Sequence, residues 1–433
     1  MGVLVAVLWP DFDQAHQIVT TSAAQSDPCL PDSFRSRLVF VHCSILGFCT
    51  GAAGQRELER GPELARIEEL EGLRGLLAVW VVFVHLLPAS GIEASNLGVL
   101  EPLFGELIRV QIFCVMSGFV IFMMMSRRRE PYLPYISRRF LRIYPVYLFA
   151  FALSVAMSGI AYEALQSADF TGPKNAGRIA IYEASFAQWP EHVLSHLTLL
   201  HGIVPDQWLP FGAFAFLGQA WNISTEFQFY LIAPILFWIL HDARPFMKVL
   251  FIAGIAAAWY VGMRWPNGAA LSYFAIYFLT GIISYYLWNR SWSDQAYLNK
   301  WTITAAALAI GTVSIAIGIW IFIFGSALYV RDRAGKEDAL SAALKLKPML
   351  FLGKISYSLY LLHMIPLYGV MYGLNLLDLS QGIYVVFLGI GTFALAIPIS
   401  MFATRYVEGA FYQSKRRPPA AVGTTSRLAW RRR

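Results

Sequence analysis

Apolar residues run in long blocks along this chain instead of alternating with polar ones. The blocks cover 73–87, 104–125, 143–161, 227–240, 249–263, 271–288, 349–373 and 383–403. Runs of about twenty apolar residues suit a hydrocarbon core roughly 30 Å thick. Inside lipid every backbone amide needs an internal partner, and these blocks are too long for strands and lack period-2 alternation, so they predict helices. The stretch 302–330 reads as one tilted helix or as two short ones, and 194–204 is a further apolar piece inside a polar loop. The expected fold is all-α, a polytopic transmembrane bundle of about ten spans.

The ends differ from this body. Residues 1–60 are irregular, with a marginal apolar run at 38–53, and read as a poorly ordered extension or one extra span. They lack the early basic region of a signal peptide, and Pro10 and Asp11 interrupt the first apolar stretch. Residues 55–70 are charged, as an interfacial helix leading into the 61–410 membrane domain would be. The segment 411–433 reads as a basic, disordered, cytoplasmic tail.

Composition rules out an ordinary soluble domain: of 433 residues 57% are hydrophobic and 14% charged, with mean hydropathy +0.53, whereas soluble chains carry roughly a quarter charged residues. The net charge of +7 does not indicate nucleic acid, because the basic residues sit in short loops beside apolar blocks, where they set topology. Arg127, Arg128, Arg129, Arg138, Arg139 and Arg142 place the 126–142 loop in the cytoplasm, as five basic residues do for 331–347. An even number of crossings must then precede residue 331. Two crossings by 302–330 satisfy this and also put Arg244, Lys248, Arg290 and Lys300 inside. Cys29, Cys43, Cys49 and Cys114 form no CxxC pair, so neither redox chemistry nor a metal finger is indicated.

Ionisable groups inside spans are costly and are candidates for function. Arg74 and His85 are eleven residues apart, hence about 20° apart around a helix and ~16 Å along it. They share one face, either as snorkelling ends or as parts of two linked sites. Trp221-Asn222-Ile223-Ser224-Thr225-Glu226 opens a later block, and Glu226 and Tyr230 share a face at i, i+4. Ser224 as a helix cap, with Glu226 at the dipole, is the alternative. Ser356, Tyr360 and His363 form a polar stripe that either glues helices together or lines a site. His192, His196 and His201 lack an H-E-x-x-H partner, and no metal is expected there.

Five short motifs in order resemble the acyltransferase 3 family of membrane O-acyltransferases. They are Leu70-Glu71-Gly72-Leu73-Arg74-Gly75 followed by His85; Phe113 with Ser117-Gly118-Phe119; Arg138-Arg139 with Arg142-Ile143-Tyr144-Pro145; Trp221 to Glu226 with Phe229-Tyr230; and Ser356-Tyr357-Ser358-Leu359-Tyr360 with His363. Glu71 stands where the family usually has Asp, Asn222 replaces a Ser, and the usual acidic-Pro pair reads Glu408-Gly409. Activity is expected to survive these departures, with acceptor choice open to change.

The resemblance implies transfer of an acyl group from acyl-CoA, acetyl-CoA first, to a hydroxyl of a saccharide or glycolipid acceptor, with no bound cofactor. It implies a cell (inner or plasma) membrane protein. His85, as general base or covalent carrier, Glu226 and Tyr230 would be catalytic, and Arg74, Arg138, Arg139 and Arg142 would hold the donor. Glu71, Ser117, Trp221, Ser356, Tyr360 and His363 would hold the acceptor or the structure. A proton-coupled transporter is the competing reading and a membrane scaffold the third. An internal repeat would favour transport, and none is evident.

Overall fold

A computed structural model describes residues 67–413, apart from 106, 263, 265–267, 291–298 and 333–337. The expectations for 1–60 and for the tail beyond 413 fall outside the described residues. Regular structure among the described residues is helical, without strands. In chain order the helices are α1 Glu68–Ala89, α2 Ile108–Arg127 and α3 Tyr132–Ala156, then shorter α4 Ser158–Gln166, α5 Pro173–Ala187 and α6 Trp189–Leu197. Next come α7 Trp221–Asp242, α8 Pro245–Gly262, α9 Leu271–Trp288, α10 Lys300–Gly311 and α11 Ile315–Asp332. The last four α-helices of six or more residues are α12 Ala339–Leu344, α13 Lys347–Leu362, α14 Met364–Leu374 and α15 Gln381–Phe402, and the short segments Glu101–Phe104 and Gly409–Gln413 are also helical.

Six of the described spans are long and apolar enough to cross a bilayer, and a seventh results if α13 and α14 count as one. The expected ten is not reached on length and composition. Much of the difference lies at 302–330. The chain folds back after Gly311, and a Cβ on Gly318 would stand 2.7 Å from the Ala307 carbonyl oxygen, so α10 and α11 form a tight hairpin. With twelve residues, α10 is about 18 Å long, too short to cross upright.

In lipid, helices associate through close backbone approach at small residues. The motif glycines serve this purpose. A Cβ on Gly75 of α1 would stand 2.6 Å from the Met349 carbonyl oxygen of α13, and one on Gly118 of α2 would collide with the Phe278 carbonyl of α9. These two helix pairs form the centre of the bundle.

Both basic loops lie at one end. A Cβ on Gly118 would meet the Phe278 carbonyl and one on Gly281 the Phe119 amide, and further along both helices the Phe122 and Tyr285 rings lie 6.0 Å apart, so α2 and α9 run in the same direction. Arg331 at the end of α11 donates to the Trp288 carbonyl, and Lys300 at the start of α10 lies over the Tyr329 ring. Arg129 meets Asp242 at 3.6 Å, and Glu69 meets Lys345 at 2.9 Å. The hairpin therefore begins and ends near the end of the bundle that carries the arginine-rich 126–142 loop.

The 349–373 block is not one straight span. α13 and α14 meet at 61° around His363. Pro366 has no N–H for the Leu362 carbonyl, which breaks the helical ladder at this turn. The neighbouring Leu361 carbonyl is satisfied from outside by Gln219 Nε2 at 2.6 Å. A polar side chain thus repairs a break that lipid alone would leave unsatisfied.

Candidate functional site

Two cavities among the described residues hold the candidate side chains. A narrow one of about 140 Å³ is lined by Arg74, Ser117, Arg139, Arg142, Asn222, Glu226, Tyr230, Ser356, Tyr357 and Tyr360, among others. It joins the first four motifs and the start of the fifth, which are up to 286 residues apart in sequence (Arg74 to Tyr360). The second, about 720 Å³, is lined by His85, Arg109, Lys174, Arg178, Trp221 and a band of aromatic residues. Tyr360 lines both, so the cavities meet at one side chain. Arg74 and His85, on one face of α1, open into different cavities.

In the narrow cavity Glu226 is the organising group. Ser117 Oγ donates to its Oε1 at 2.7 Å, and the Tyr230 hydroxyl donates to the same oxygen. The i, i+4 geometry of α7 supplies the second bond and α2 the first. Three arginines line the cavity against this one carboxylate. Arg142 also pairs at 3.1 Å with Glu408, the acidic residue after the last span. Arg139 lies against Met124, with Nη2 2.8 Å from its Sδ. Ser356 Oγ bonds the Gly353 carbonyl at 2.8 Å, one turn back on its own helix.

The large cavity holds a histidine pair. His363 sits at the α13–α14 break, with Nδ1 2.8 Å from the Tyr360 carbonyl oxygen and Nε2 2.9 Å from His85 Nδ1. A carbonyl only accepts, so His363 Nδ1 carries the hydrogen and its Nε2 is a lone pair. His85 Nδ1 must then donate, which leaves the outer His85 Nε2 as an acceptor. The ring orientation of His85 is fixed by its neighbour, an arrangement suited to general-base chemistry. Arg178 Nη2 donates to the His85 carbonyl at 3.1 Å, tying α5 to the same turn of α1.

Two of the three left-handed non-glycine residues among the described residues lie beside this cavity, the third being Leu199. Phe211 and Phe216 adopt positive φ of 55° and 56° and both line it. Each left-handed non-glycine residue costs on the order of 1–3 kcal/mol, and such strain clusters at functional sites. His196 fixes the loop by bonding the Gly212 carbonyl through Nε2 at 3.2 Å, while the Tyr147 hydroxyl meets its Nδ1 at 3.1 Å. Its ring stacks on His201 at 4.0 Å. Burial holds the His196 imidazole well below its ordinary range and pushes His201 down to about 3. These histidines support the loop, and among the described residues no group of three or more metal-ligating side chains could hold an ion.

Several expected residues are placed differently. Arg138 lies outside both cavity linings and pairs with Glu130. Glu71 lines neither cavity; its backbone packs against Gly353. Trp221 lines the large cavity beside Phe274, with ring centroids 5.2 Å apart. Ser224 is not the helix cap, because α7 begins at Trp221; its Oγ accepts from the Gly202 amide at 3.0 Å instead. The sequence reading missed Arg109, Gln219 and Arg178. Arg109 was the findable one, a fully buried charge inside an apolar block.

Known acyltransferases share sequence with this chain. A family model, Acyl_transf_3, described as an acyltransferase domain, matches residues 67–401. The chain is 27% identical over 310 residues to a Komagataeibacter xylinus protein named membrane-bound transacylase BcsY, covering 69% of this chain and 72% of that one. It is 27% identical over 206 residues to acyltransferase MdmB of Streptomyces mycarofaciens, covering 46% of each. No solved structure matches. The transporter reading gains no support from these matches.

Proposed function

The chain belongs to the acyltransferase 3 family, and from that premise we propose that it moves an acyl group, acetyl first, from cytosolic acyl-CoA to a hydroxyl of a saccharide or of a lipid-linked or exported glycan. The observation that carries this reading is the divided site: an arginine-lined cavity toward the basic end, a histidine-bearing cavity beyond it, and Tyr360 in the wall of both. Short basic loops favour the cytoplasm, so the basic end faces the cytosol of a cell or inner membrane, where acyl-CoA resides.

A volume of about 140 Å³ is below the roughly 300–1,000 Å³ of sites that enclose drug-sized ligands. It suits a thin acyl-thioester arm, with the nucleotide and its phosphates left at the basic end. Arg74, Arg139 and Arg142 are the donor-side cations, since guanidinium forks match phosphate and carbonyl oxygens. Arg138, paired with Glu130, is not among them. Glu226, fixed by Ser117 and Tyr230, supplies the counter-charge that orders the arginines.

The acceptor enters the large cavity and presents a hydroxyl to His85 Nε2. That nitrogen takes the proton as the oxygen bonds to the thioester carbon. The tetrahedral intermediate collapses, the carbon–sulfur bond breaks, and the CoA sulfur leaves and regains a proton from the imidazolium. His363 stabilises the imidazolium through the Nδ1 hydrogen bond. The test is transfer of radiolabelled acetyl from acetyl-CoA to surface glycans by the protein in nanodiscs. Label found in an alkali-labile ester supports the reading; no transfer from acetyl-, succinyl- or longer acyl-CoA contradicts it.

A further inference from the structure

The large cavity is unevenly charged. Arg109, Lys174 and Arg178 line it, and no Asp or Glu is among its lining residues. Lys174, Gly177, Arg178, Ile181 and Tyr182 follow the i, i+3, i+4 spacing of one helical stripe, so α5 turns a single face to the cavity. Arg178 is the cation nearest the chemistry. Its Nη1 meets the Asn175 side-chain oxygen at 3.2 Å and its Nη2 the His85 carbonyl at 3.1 Å. Both are neutral oxygens, and Asn175 is itself buried. Among the described residues Arg178 forms no ion pair.

A half-buried guanidinium held by two neutral acceptors keeps donor capacity and its full charge for a ligand. Much of the remaining wall is aromatic, with Phe211, Phe214, Tyr273, Phe274 and Tyr277. Flat rings with polar rims suit the C–H faces and hydroxyls of a pyranose. The strained aromatic Phe211 belongs to this wall. The volume of about 720 Å³ lies within the range of specific ligand sites.

We infer that the acceptor is an anionic saccharide whose carboxylate or phosphate is bound by Arg178, one residue contact away from the histidine that activates its hydroxyl. This rests on the acyl-transfer reading and narrows it. Anion binding by Arg178 fixes which hydroxyl reaches His85 Nε2, and the cationic wall draws acidic sugars in preference to neutral ones. Arg178 is a specificity-determining residue, and Lys174, one turn earlier on α5, extends the same charged face.

The test uses three probes on one ring: methyl glucoside, methyl glucuronide and methyl glucoside 6-phosphate. Binding to the full chain in nanodiscs is followed by quenching of tryptophan fluorescence, since Trp221 lines the cavity, and acetylation from acetyl-CoA by mass spectrometry. The wild type is expected to favour at least one anionic probe over the neutral one by roughly tenfold to a hundredfold, the range of a charged hydrogen bond. Which anionic probe wins identifies carboxylate or phosphate as the group. The preference should vanish in Arg178→Gln and persist in Arg178→Lys, and as a ratio it is insensitive to a general loss of fold. Equal binding of all three probes by the wild type overturns the inference, as does a preference that survives Arg178→Gln. Selective binding without acetyl transfer counts against the transfer reading alone; transfer without charge preference counts against the anion site alone.

Discussion

His363 Nε2 lies 2.9 Å from His85 Nδ1, joining residues 278 positions apart. The contact exists because the helix carrying His363 breaks there and turns by 61°. Its chemical consequence is directional: the hydrogen on His363 Nδ1 goes to a carbonyl, so His85 is left with its outer nitrogen as the basic atom.

The first prediction separates the two histidines. Removing the base in His85→Ala should lower kcat by about 10²–10⁴-fold. His363→Ala keeps the base but frees its ring, and misorientation of this kind costs on the order of 10²-fold. A second shortfall should appear as a changed pH–rate profile in His363→Ala, because the imidazolium loses its partner. Steady-state kinetics from pH 5.5 to 9 measure both.

The second concerns the arginines. Arg139→Gln and Arg142→Gln should raise the KM for acyl-CoA by about tenfold or more, the effect of a lost charge-assisted bond. Arg138→Gln should leave it within about twofold, because that guanidinium is committed to Glu130 outside the cavity. Donor titrations of the three variants at equal folded concentration check the split.

A third prediction addresses helix packing. In Gly75→Leu the new side chain starts 2.6 Å from the Met349 carbonyl oxygen, and overpacking of this sort costs about 1–3 kcal/mol. The variant should melt at lower temperature in detergent than the wild type, while Gly177→Ala inside helix α5, whose added Cβ meets nothing within 4 Å, should melt no lower, since alanine is the better helix former.

The fourth follows from buried imidazoles. His201 is held near 3 in the folded chain against about 6.5 in a free chain. The unfolded chain therefore takes up a proton that the folded one refuses, and stability falls as pH drops from about 6.5 toward 3, with no change above that window. Between pH 7.5 and 5 the loss is about 2 kcal/mol for His201 alone, and His196 adds to it in the same direction. Thermal melts at pH 7.5 and 5 should show the drop, and His201→Phe should reduce it.

What could be seen in the sequence was set by local physics. Apolar block length identified α1, α2, α7, α9 and α15, and loop charges gave the common basic end. The motifs named Arg74, Ser117, Glu226 and Tyr230, which line the narrow cavity across α1, α2 and α7, but gave no sign that Glu226 and Tyr230 sit apart from His85 in the other cavity. Properties that depend on where chains meet were not visible. Pro366 marked a break in 349–373, yet only the fold reveals that the break brings His363 to His85. Gly311 and Gly318 turned 302–330 into a hairpin too short for two full crossings. Arg138 and Arg139 are adjacent in one motif, and helical rotation sends one to Glu130 and the other to the cavity. Arg178 stood out in no motif, because nothing in its sequence neighbourhood signals a site.

The central claim, that His85 Nε2 is the base serving an arginine-held thioester, is tested most directly by acceptor-dependent release of free CoA from acetyl-CoA in nanodiscs. Wild-type protein should release CoA only when acceptor is present, and His85→Ala should fall by at least about a hundredfold with acetyl-CoA binding unchanged. Equal release by His85→Ala at matched folded amounts would contradict the account.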